Sequence, residues 1–199
     1  MSTGESAETE SSTRGEGLDL ADAANVLVLS ARLDSAARAT YVEELVATEL
    51  ANLLVVSFTE DPARWLDAWG AADERPGTTV LVQESEPEDA DLPGVERVAE
   101  EPADLTGLGI TVSERLTNWQ RSESLLMFES LSTLLEHVEL KRVFRFLHVL
   151  VNRVESTGTT AHYHLDPSAH DDRTVATLTS LFDTVVAYEE GRWRQTTWP

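Results

Sequence analysis

The sequence predicts an α/β fold: a three-layer sandwich with a mainly parallel sheet and helices on both faces. Three observations lead there. The runs at 25–30, 53–58 and 125–128 are short and apolar almost throughout, as strands buried on both faces are. Stretches of helical spacing lie between the strand-like runs, and strands that alternate with helices imply parallel order. The chain, at 199 residues, is long enough for one domain with a sizeable core.

Taken in order, residues 1–17 have the composition of a disordered acidic tail, and 18–199 are read as one domain. A buried strand is expected over 25–30, then a helix over 35–50 with Leu45 and Val46 inward. A second strand covers 53–58. A short helix follows over 62–70, with Asp61 as N-cap, Pro62 in the first turn and Gly70 at the end. A third strand covers 79–83. Residues 84–104 carry nine acids, three prolines and one Arg, and read as a solvated acidic loop with a short strand over 95–98. A helix over 105–120 places Leu108, Val112, Leu116 and Trp119 on one side. A strand over 125–128 and a helix over 139–156 follow. The helix has an apolar face of Val143, Phe146, Leu147, Leu150 and Val154. A strand over 160–165 and a helix over 171–181 come next. The pair 185–188 and 193–196 reads as a C-terminal β-hairpin with Gly191 near its turn.

Net charge is −21, from 36 acids against 15 Lys and Arg, and the one lysine is Lys141. Acids spread over most segments, with lysine nearly absent, suit a halophile's cytoplasm, where carboxylates hold water and cations. Duplex nucleic acid is disfavoured as a partner because phosphate contacts need a basic surface. Without cysteine there are no disulfides and no thiolate metal sites. No apolar run approaches a membrane span, and the N-terminal residues lack the apolar core of a secretory signal, so a cytoplasmic location is expected.

A phosphate-binding loop after the first strand would need glycines, for close approach of backbone N–H groups, and then Lys-Ser/Thr. Instead Ser30-Ala31-Arg32-Leu33-Asp34-Ser35-Ala36-Ala37-Arg38 runs into a helix, and no glycine lies between Leu18 and Trp69.

Farther on, Leu125-Leu126-Met127-Phe128-Glu129-Ser130-Leu131-Ser132 is an apolar strand ending in an acid and Ser-Leu-Ser. It resembles the Walker B segment of RecA-superfamily, KaiC-like ATPases of haloarchaeal type. Val55-Val56-Ser57-Phe58-Thr59-Glu60-Asp61-Pro62 resembles that family's second strand. Arg142-Val143-Phe144-Arg145-Phe146-Leu147 resembles the helix after Walker B. Leu165-Asp166-Pro167-Ser168-Ala169-His170-Asp171, followed by Leu181-Phe182-Asp183, resembles the late strand, helix and strand. The likeness spans roughly residues 25–188. It implies a RecA/KaiC core, a P-loop NTPase fold without a P-loop. The Walker A lysine and hydroxyl would fall at Ala36 and Ala37. The Walker B aspartate is Glu129, and one of two catalytic glutamates is Thr59, leaving Glu60.

Polar residues at strand ends should converge on one crevice at the carboxyl edge of the sheet: Ser30, Glu60, Glu129 and Asp166. Glu60 and Glu129 are the candidate catalytic acids and could hold a cation. Ser30, Ser35, Ala36, Ala37 and Ser130 are the degenerate cofactor-binding positions. His162 and His164 share a strand face, with Asp166 two residues on, which admits a zinc or nickel site. Lys141, Arg145, His148 and Asn152 form a polar, partly basic stripe along one helix, suited to a partner or a neighbouring subunit. Trp193 and Trp198 could mark a docking surface.

The expectation from these features is a non-catalytic, RecA/KaiC-like regulatory or scaffold protein, cofactor-free, that binds a protein partner: a functional homologue or itself. The first alternative is a nucleotide-binding protein or slow ATPase with a non-standard loop, using ATP and Mg²⁺. The second is a metal-dependent hydrolase at His162 and His164.

Overall fold

The computed structural model describes residues 18, 20, 22–31, 33–46, 50–58, 61–69, 75–84, 92–129 and 131–197. The expected N-terminal tail and residues Arg32, Thr59, Glu60, Gly70, Ser130 and Trp198 lie outside them.

One eight-stranded sheet organises the chain. Its strands are β1 (Asn25–Leu29), β2 (Asn52–Val56), β3 (Thr78–Gln83), β4 (Val95–Ala99), β5 (Ser124–Phe128), β6 (Thr160–Leu165), β7 (Thr184–Glu189) and β8 (Arg192–Thr196). The order across the sheet is β4-β3-β2-β5-β6-β1-β7-β8. Strands β1 to β7 are mutually parallel and β8 returns antiparallel to β7. The hairpin turn places Gly191 at φ 80°, where a residue without Cβ is unstrained.

Alternate residues of each strand feed two cores, as the pleat requires. Leu27, Leu29, Leu54, Val56, Leu126 and Phe128 face α2 (Leu105–Asn118), α3 (Leu131–His137), α4 (Leu140–Thr157) and α5 (Asp172–Thr179). Val26, Val28, Leu53, Val55, Leu125 and Met127 face α1 (Ser35–Leu45), the 3₁₀ segment Pro62–Trp69, and Trp193. Helices therefore cover both faces.

Side-chain caps fix where the helices begin. The carboxylates of Asp34, Asp104 and Asp171 accept from backbone N–H groups in the first turns of α1, α2 and α5. Helix α4 ends at Gly158 in the left-handed region, φ 71°. At the amino edge of the sheet, Asn25 donates from its backbone to Asp183 and from its amide to the Val151 carbonyl, while its side-chain oxygen accepts from Tyr163. The Asn52 amide similarly donates to Ser124. Such satisfied buried polar groups pin the register of neighbouring strands.

Two local features depart from the sequence reading. Helix α1 stops at Leu45, because Val46 turns extended (φ −102°, ψ 135°) and buries its side chain. The short strand expected over 95–98 is present, by contrast: β4 extends the sheet as a parallel edge strand beside β3, and Arg115 on α2 pairs with Glu96 at 2.5 Å. Helix α3 was not foreseen. Its signal was present in Leu131, Leu134, Leu135 and Val138, spaced for one helical face and packed into the core.

Leu126, central in β5, has no solvent exposure. Leu126→Ala should lower unfolding free energy by about 2–5 kcal/mol. Urea denaturation in molar KCl measures this, and a loss near zero would contradict the packing.

Candidate functional site

The parallel strands bring their carboxyl ends to one rim, and a crevice of about 280 Å³ opens there. Ser30 after β1, Glu129 after β5 and Asp166 after β6 all line it, so three of the four predicted strand-end residues meet. Glu60, the fourth, lies outside the described residues, as does Ser130. Ser132, Glu136 and His164 complete the polar wall.

Two of the crevice's carboxylates, Glu129 and Asp166, and the helix end near it are already used by the chain. Asp34 caps α1, its Oδ1 accepting from the Ala37 N–H at 2.8 Å. A phosphate docked on that helix end would compete with a carboxylate for the same donor. Ala37 is buried, whereas Ser35 and Ala36 stand exposed on the first turn outside the crevice. Glu129 accepts from the Trp65 indole N–H at 2.5 Å, and its backbone N–H donates to Val56. Asp166 caps the short 3₁₀ turn Pro167–Ala169, accepting from the Ser168 N–H and hydroxyl. Among the described residues the lining holds Glu129, Glu136 and Asp166 and neither Arg nor Lys, a field that repels phosphate.

Behind the crevice, His162 and His164 do share one face of β6, as the alternation predicts. That face points into an aromatic cluster beneath α1. The Tyr41 ring lies 5.1 Å from Trp65, 5.7 Å from His162, 5.2 Å from His164 and 5.4 Å from Trp193. Tyr41 Oη and His162 Nδ1 share a 2.5 Å hydrogen bond. The buried Arg38 guanidinium sits 5.6 Å from the Trp65 ring centre. Asp166 lies past the strand, engaged with Ser168, and does not complete a ligand set. Among the described residues, no group of three His, Asp or Glu side chains is placed to hold a metal ion.

Burial keeps both imidazoles neutral. It lowers the His162 pKa to about 4. It lowers that of His164 to about 3, with His162 and the Arg38 charge adding to the effect. Burial also raises Tyr41 well above its ordinary value, and the Glu129 carboxylate adds to that rise. The cluster is thus an aromatic layer with neutral imidazoles beside the Arg38 cation, tied together by the Tyr41–His162 hydrogen bond, and His164 carries it to the crevice wall. The role of Tyr41 is not legible in the sequence, since its neighbours come from β6, β8 and the 3₁₀ segment rather than from nearby sequence.

The predicted partner stripe is divided by the fold. Arg145 lines a groove between α2 and α4. Lys141, His148 and Asn152 are exposed and lie outside its lining, and the Asn152 amide donates to the His148 carbonyl one turn back. Trp193 is buried in the aromatic cluster, which removes it as a docking residue.

The two histidines set a pH dependence with a definite sign. In the unfolded chain they take protons near pH 6.5, and in the folded protein only near pH 4 and pH 3. The unfolded state therefore binds more protons below about pH 6.5, so stability is complete above that value and is lost as pH falls. The urea midpoint should drop between about pH 7.5 and about pH 5, and His164→Gln should flatten part of the slope. An equal slope in wild type and variant would contradict this account.

No curated protein matches the chain. Among solved structures it is similar to a protein of Pyrococcus horikoshii OT3, determined as a structural study of Project ID PH0250. The TM-score is 0.58 at 10% identity, covering 87% of this chain and 85% of that one, a likeness of fold. A family model matches residues 23–188, and the chain belongs to that family, the Family of unknown function (DUF7504).

Proposed function

We propose that this protein is a RecA/KaiC-like scaffold from a halophile's cytoplasm that has lost nucleotide chemistry and acts by binding another protein. The observation that carries the reading is the state of the strand-end crevice. The N–H of Ala37, at the helix end where a phosphate would dock, is held by Asp34, and the Walker B-like acid Glu129 is held by Trp65. Both interactions use ligand-facing groups to stabilise the chain itself.

A P-loop binds through a backbone cradle and a lysine. The segment after β1 supplies neither glycine nor lysine. The remaining charged lining is acidic among the described residues, so a nucleotide's phosphates would meet the carboxylates of Glu129, Glu136 and Asp166. What survives is the scaffold: a sheet rim, two covered faces and helix surfaces open to a partner.

Calorimetric titration of ATP and of ADP with Mg²⁺ into the full chain in molar KCl should give no saturable heat. Saturable, Mg²⁺-dependent binding would overturn the reading. Glu129→Ala should act on stability instead, costing about 1–3 kcal/mol by leaving the Trp65 indole N–H unpaired.

A further inference from the structure

A concavity of about 800 Å³ lies away from the crevice, between α2 and α4. Its charge is inverted relative to the chain. Arg142, Arg145 and Arg153 line it against a single acid, Glu114, whereas the whole sequence has 36 acids for 15 basic residues. Its apolar surface is open: Ile110 is 56% exposed and Val149 69% exposed, the large hydrophobic residues that stand out among those described. Phe146 lies against Gly109, whose missing side chain leaves the groove floor clear; a Cβ there would sit 3.5 Å from the Phe146 ring.

The arginines are available. Among the described residues Arg142 and Arg145 make no side-chain hydrogen bond or ion pair, and Arg153 donates only to the Thr117 hydroxyl at 2.6 Å. Bidentate guanidinium–carboxylate contacts suit such a rim. The lining runs along α4 from Arg142 to Arg153, about 16 Å or three helical turns at 1.5 Å per residue.

We propose that this groove docks an acidic, amphipathic segment of another protein, about three helical turns long. Its apolar side chains rest on Ile110, Phe146 and Val149, and its carboxylates reach Arg142, Arg145 and Arg153. This inference rests on the scaffold reading above and gives that partner a place and a chemistry. Charge complementarity selects the occupant: a basic segment would meet three arginines, and an uncharged one would leave them unpaired. A second copy of this chain fits less well: among its described residues the exposed large hydrophobics are Ile110 and Val149, both on this same arginine-lined groove, so it has no described acidic, apolar segment to offer.

The test is selection of a displayed random-peptide library on the full chain in molar KCl, with enriched peptides synthesised and measured by fluorescence anisotropy. Enriched peptides are expected to combine Asp and Glu with Leu, Phe or Trp. They should bind the Arg142→Glu/Arg145→Glu variant and the Val149→Asp variant at least about tenfold more weakly. Lys141→Glu, on the same helix but outside the groove, should bind them as wild type does. All the substituted side chains are exposed, and circular dichroism confirms that each variant is folded. Failure of enrichment, enrichment of basic peptides, or equal binding to wild type and groove variants would overturn the proposal. So would a wild-type dimer, seen by light scattering, that Val149→Asp converts to monomer, because the occupant would then be a second copy. ATP titration of the same samples separates the two readings: nucleotide binding removes the non-catalytic assignment and leaves the groove result standing.

Discussion

The structure depends on a sheet that must be covered on both faces. Every residue of β1, β2 and β5 is buried, so neither face of the central strands meets water. Parallel strands impose this, because each crossover carries a helix back over the sheet. Here the crossovers divide: α1 and the 3₁₀ segment close one face, α2 to α5 the other. A second consequence is directional. With β1 to β7 all parallel, their carboxyl ends share one rim. Residues as distant in sequence as Ser30, Glu129 and Asp166 therefore meet without any local signal linking them.

The chemistry of that rim is one of self-satisfaction. A binding crevice keeps donors and acceptors poised for a ligand and tolerates the cost of leaving them partly unpaired. Here Asp34 takes the Ala37 N–H, Trp65 takes Glu129, Ser168 takes Asp166, and His170 shares a 3.0 Å contact with Ser132. A ligand would have to break such pairs before making its own. The aromatic layer beneath reinforces them, because Trp65 touches Tyr41, and Tyr41 bonds His162. Neutral histidines fit there because an imidazolium would be a charge buried among rings and beside the Arg38 cation.

Much of this was legible in the sequence where one element decides the outcome. Buried strands announce themselves as apolar runs, and the Asp61 cap follows from residue type and position. The pairing of His162 with His164 on one face follows from strand alternation. Their environment does not, because it is set by Tyr41, Trp65 and Trp193 arriving from three other elements. The same limit governed α4. Spacing along one helix grouped Lys141, Arg145, His148 and Asn152. The neighbouring helix α2 determines which side of α4 becomes a groove, and it selects Arg142, Arg145, Val149 and Arg153. Helix α3 is the converse case: its apolar spacing was readable, but the acid and serines before it drew attention to a motif instead.

The halophilic setting proposed above would constrain how a partner is found. At molar ionic strength the screening length is about 3 Å, so a net charge of −21 neither steers nor repels at a distance. Recognition must then come from contact, where water and salt are excluded. Apolar surface beside paired guanidinium groups meets that requirement: Ile110 and Val149 exclude water, and the arginines beside them gain strength from its exclusion. Carboxylates scattered over the remaining surface stay hydrated and contribute little to any specific contact. The local inversion of charge between α2 and α4 therefore matters more to recognition than the net charge of the molecule.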